Sequence, residues 1–100
     1  MRRLVIPPAA KKDKRAVEMM RVWIAHQKLL CSLNVGEWKD SEFDERRSWG
    51  VMLADITRHV ADALMKSEGH DPDRSIELIQ KFYLEELKRP TSKVNGDYLK

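Results

Sequence analysis

Two stretches of period-two alternation, set back to back around residues 26–28, constrain this chain more than any other feature. After the turn, Leu29, Cys31, Leu33 and Val35 alternate with Leu30, Ser32 and Asn34. Before it, Met20, Val22 and Ile24 alternate with Met19, Arg21, Trp23 and Ala25. A period of two is the signature of a half-buried strand. Folding the halves back with a two- or four-residue loop puts both sets on one face, and a slip of one residue would turn that face outward. The pattern predicts an antiparallel hairpin over about 18–35. Its turn, near His26-Gln27-Lys28, lacks the Asn-Gly signal of tight hairpins. Val22, Ile24, Cys31 and Leu33 are expected to pack on whatever helices follow. The other face carries Met19, Arg21, Trp23 and Leu30 beside Ser32 and Asn34. It is neither clearly core nor clearly solvent, which makes Met19, Arg21, Trp23 and Leu30 the candidate interface.

The period then changes. Ser41-Glu42-Phe43-Asp44 fits a capping box, with an Asp in place of the usual Glu or Gln. Trp49, Met52, Leu53, Ile56, Val60, Ala63 and Leu64 follow at helical spacing, predicting one amphipathic helix over about 42–67 that stops at Gly69. Asp71 is a good cap, Pro72 suits the first helical position, and Ile76, Ile79, Phe82, Tyr83 and Leu87 form a stripe. That predicts a second helix over about 72–88, closed by Pro90. The expected fold is α+β: a hairpin followed by two amphipathic helices, with a short strand at 3–6 as an available edge. The expected organisation is a basic arm and linker over 1–15, a single α+β domain over 16–90 and a tail over 91–100.

Charge divides along the same lines. The net charge is +3, yet residues 1–15 hold six bases (Arg2, Arg3, Lys11, Lys12, Lys14, Arg15) and one acid, Asp13. The rest of the chain is mildly acidic. A compact nucleic-acid domain carries its basic face on the folded part, so the overall charge misleads. The lone cysteine, Cys31, excludes an intramolecular disulfide and reads as a small buried hydrophobe on a strand. The apolar run Leu4-Val5-Ile6 is too short for a signal peptide, and no stretch reaches the ~20 apolar residues of a membrane span. A cytoplasmic location is expected, with no membrane partner.

The runs Ala16-Val17-Glu18-Met19, Arg21-Val22-Trp23 and Ser32-Leu33, with Gly36 and Trp38, form a recognisable pattern. Trp49-Gly50, Leu53-Ala54-Asp55, Arg58-His59-Val60 and Pro90-Thr91-Ser92 continue it. The chain so resembles a family of short bacterial proteins known only as a domain of unknown function. The resemblance spans nearly the whole chain. It implies a small bacterial cytoplasmic domain and no particular chemistry.

Candidate chemistry is sparse. On the first predicted helix, Asp55, His59 and Asp62 fall within roughly 60° of one another at about 100° per residue. With Arg58 beside them they form the candidate polar cluster. Two carboxylates and an imidazole could bind a divalent metal or orient a general base. The plainer account is a solvated flank held by i,i+4 pairs. His26 and His70 fall in a turn and a loop, so no second ligand cluster exists, and neither metal nor cofactor is expected. The four glycines are scattered, which excludes a phosphate loop. Gly50, inside a helix, suggests that something packs close to its backbone. Trp49 belongs to the helical stripe, whereas Trp23 and Trp38 are candidate contact anchors.

A two-stranded hairpin is marginal alone and leaves bare edges. The expected function is therefore a small interaction or assembly module whose expected partner is a second copy of itself, as a homodimer, or another protein. Weak nucleic-acid or anionic-surface binding through the basic arm is the first alternative. A small enzyme or metal protein built on Asp55, His59 and Asp62 is the second.

Overall fold

The computed structural model of the chain describes residues 1–91 and 93–99. Ser92, in the last run of the family pattern, and Lys100 lie outside the described residues. In chain order the elements are α1 (Pro8–Lys12), β1 (Met20–Ala25), β2 (Lys28–Asn34), α2 (Glu45–Glu68), α3 (Pro72–Lys88) and β3 (Val94–Leu99). The hairpin followed by two long helices is the α+β arrangement that the two periodicities predict. The elements group into two compact units, one of residues 1–35 with β3 and one beginning at Gly36 that holds α2 and α3.

In the first unit, β1 and β2 pair antiparallel with Met20 opposite Leu33, Val22 opposite Cys31 and Ile24 opposite Leu29. This is the register that the alternation specifies. His26 and Gln27 alone make the turn, at φ 51° and 62°. Two consecutive left-handed residues are the geometry of the tight hairpin turn whose twist matches the strands. Here it is adopted without glycine, which is why no turn signal stands in the sequence.

The third strand corrects the sequence reading. Leu4-Val5-Ile6 forms no strand, and residues 8–12, read as linker, make one short helical turn instead. The sheet is completed by β3, which pairs parallel to β2 in the order β1-β2-β3. Gly96 permits this pairing. It lies opposite Cys31 at φ 151°, and a Cβ there would collide with the Cys31 carbonyl, coming within 2.6 Å of its carbon. Only glycine fits so close a backbone approach.

In the second unit, α2 starts three residues later than the capping box implies. Its cap is Asp44, whose carboxylate accepts the Arg46 amide at 3.0 Å. Ser41 instead closes a preceding turn, donating to the Trp38 carbonyl at 2.8 Å and accepting from the Phe43 amide at 3.2 Å. Serine and aspartate cap by the same chemistry, so two candidates three residues apart leave the boundary open to tertiary choice. Gly69 ends α2 in the left-handed conformation at φ 75°, its amide bonded to the Met65 carbonyl. Asp71 caps α3 through the Arg74 amide at 2.9 Å, with Pro72 at the first position, as expected. The short connection makes α2 and α3 neighbours. Among the described residues the two buried ones are both small, Ala61 on α2 and Ser75 on α3, as close helix packing requires.

Candidate interaction surface

The register sorts the sheet into two chemically different faces. One carries Met20, Val22, Ile24, Leu29, Cys31, Leu33 and Val94. Every one of them is uncharged. Across its outer row, Ile24, Leu29 and Val94 lie side by side on β1, β2 and β3. This row is open: Ile24 is 81% exposed, Val94 62% and Leu29 39%, with Val22 also exposed and Cys31 and Leu33 half-buried. The alternation is as read, but its apolar members are far less covered than a core face would be.

The opposite face carries the candidate interface of the sequence reading. Met19, Trp23 and Leu30 are half-buried there, while Arg21 is exposed. Arg21 donates to Glu18 in an ion pair of 2.8 Å. Lys28 is a second base at the register positions of this face. It is thus the less open and the more charged of the two.

On α2 the polar cluster resolves into separate pairs. Arg58 pairs with Asp55, and Lys66 pairs with Asp62 at 2.8 Å, each within the helix and largely exposed. His59 is exposed beside them. Both carboxylates are thus satisfied by cations of their own helix. Among the described residues no group of three His, Cys, Asp or Glu side chains could hold a metal ion. Gly50 is also unlike its reading: a Cβ built there meets nothing within 4 Å.

A further polar arrangement among the described residues is not anticipated by the sequence patterns. Glu45, in the first turn of α2, accepts the Gly36 amide on both carboxylate oxygens at 3.0 Å and the Trp49 indole N–H at 3.0 Å. The Gly36 amide, then the Trp49 indole, hold its carboxyl below the usual carboxylate range. Glu45 is half-buried, and the bonds tie Gly36 to the first turns of α2 within the second unit. The signal was present as Glu45 four residues before Trp49, facing neighbours on a helix, with Gly36 upstream. Its geometry is that of a structural clasp, since all its donors are backbone or indole groups of the same unit.

A two-helix unit and a three-stranded sheet with a parallel third strand together define the class of protein. The chain belongs to the family described as a domain of unknown function, DUF5076, whose model matches residues 3–91. Among solved structures it is similar to one from the photosynthetic bacterium Rhodopseudomonas palustrus, described as a "putative pyruvate dehydrogenase". The two are 25% identical, the match covers 93% of this chain and 90% of that one, and the TM-score is 0.69. No curated protein matches the sequence. No helix among the described residues is long and apolar enough to cross a membrane.

Proposed function

We propose that this chain is an assembly module that pairs with a second copy of itself through the open sheet face of Val22, Ile24, Leu29 and Val94. The carrying observation is the exposed apolar row Ile24-Leu29-Val94 on a face without a charged residue. A contiguous apolar patch of this kind marks an interaction site. Two-fold pairing buries the same patch on both copies, so a charge on it is taken out of water twice and must find a partner there. The uncharged face carries no such cost, and the face with Lys28 does. This moves the interface from Met19, Arg21, Trp23 and Leu30 to the other side of the same strands. At 25% identity the dehydrogenase description stays with the relative and carries no part of this reading.

Sedimentation of the full chain and of Ile24→Lys tests it. Ile24 is so exposed that lysine there leaves the fold intact, which circular dichroism checks. The expected result is a dimer for the native chain and a monomer for the variant. A native chain that stays monomeric at high micromolar concentration, or a variant that still dimerises, overturns the proposal.

A further inference from the structure

We infer that the basic arm, residues 2–15, is a docking segment for an anionic lipid surface, a function additional to self-association. Three observations carry it. All six bases of the arm are exposed, and none forms an ion pair among the described residues. Elsewhere Arg21, Arg46, Arg58, Lys66 and Arg74 are each spent on a carboxylate. The arm's single acid, Asp13, accepts the Arg15 amide at 2.9 Å, closes a turn and forms no ion pair with the bases among the described residues. Six bases less one acid leave the arm at +5.

The third observation chooses the partner. Between Arg2-Arg3 and the cluster Lys11, Lys12, Lys14 and Arg15 stands an open apolar segment, with Leu4 98% and Val5 88% exposed. Apolar side chains gain nothing on a phosphodiester backbone, and the arm has no aromatic residue on which a base could stack. A bilayer uses both parts. Its anionic headgroups attract the bases, and its acyl boundary accepts Leu4, Val5 and Ile6. Bases on both sides of an apolar segment favour that segment lying flat at the interface. This is attachment to a surface and involves no span.

Co-sedimentation of the full chain with phosphatidylcholine vesicles containing about a third phosphatidylserine tests the inference. Binding is expected there and not to phosphatidylcholine alone, and raising the salt should release it. Lys11→Gln with Lys12→Gln should weaken partition about 25-fold, at roughly five-fold per base. Leu4→Ser with Val5→Ser should weaken it about tenfold while leaving the charge unchanged. The same chains are titrated with a DNA duplex and a single-stranded RNA. Equal binding to both vesicle types, or to neither, overturns the inference. So does nucleic-acid binding that survives the Leu4 and Val5 changes while the anionic vesicles stay bare.

Discussion

Glu45 shows what a single carboxylate does when amides converge on it. A carboxylate accepting several N–H bonds is favoured in its charged form, and its carboxyl lies low for that reason. A group whose folded pKa is depressed contributes stability above its unfolded value. That contribution is lost as pH falls through the folded value. The native chain should therefore lose stability, and its Trp49 fluorescence should shift, as pH drops below the ordinary glutamate range. Glu45→Gln should lower the melting midpoint at neutral pH and flatten that acid slope; an unchanged slope would show the clasp to be idle. Gly50 offers the opposite case. It is exposed, with open space where a Cβ would stand, so Gly50→Ala should stabilise the chain by about 0.5–1 kcal/mol in urea denaturation. The sequence pointed to Gly50 as a packing site because a helical glycine usually has a reason. It passed over Glu45 because a glutamate in a first turn already has one in the helix dipole.

At the scale of elements, legibility followed how local the determining interaction is. The hairpin register and the ends of α2 and α3 at Gly69 and Asp71-Pro72 rest on neighbouring residues, and they stand where the sequence put them. The strand β3 rests on a pairing across some sixty residues and on one glycine, which no window of sequence displays. Gly96→Val should detach it. Backbone amides of β2 that face β3 would then lose hydrogen-exchange protection, while those facing β1 keep theirs. Retained protection on both sides would mean that the close approach at Cys31 is dispensable. The turn makes a complementary case. His26 and Gln27 hold left-handed conformations that cost an L-residue roughly 1–2 kcal/mol each. Replacing them with Asn-Gly should raise stability by about 1 kcal/mol or more with the register unchanged. The missing turn signal was thus strain carried by the native sequence.

For the whole molecule the decisive quantity is the surface it leaves in water. Large apolar side chains stay open within each unit: Ile24 and Val94 on the sheet, and Phe82 and Leu87 on α3. A standard interface buries only ~800 Å² per partner. If a second copy supplies the cover, folding and association are linked, and the melting midpoint must rise with protein concentration by mass action. Ile24→Lys should then lower the midpoint at high concentration and abolish its concentration dependence. At low concentration, where both chains are dissociated, the two midpoints should converge, because an 81% exposed residue contributes little to the isolated fold. Differential scanning fluorimetry across a hundredfold dilution series reads all of this directly. A native midpoint that does not move over that series would mean that the chain folds without its copy, and the open sheet face would then need another occupant.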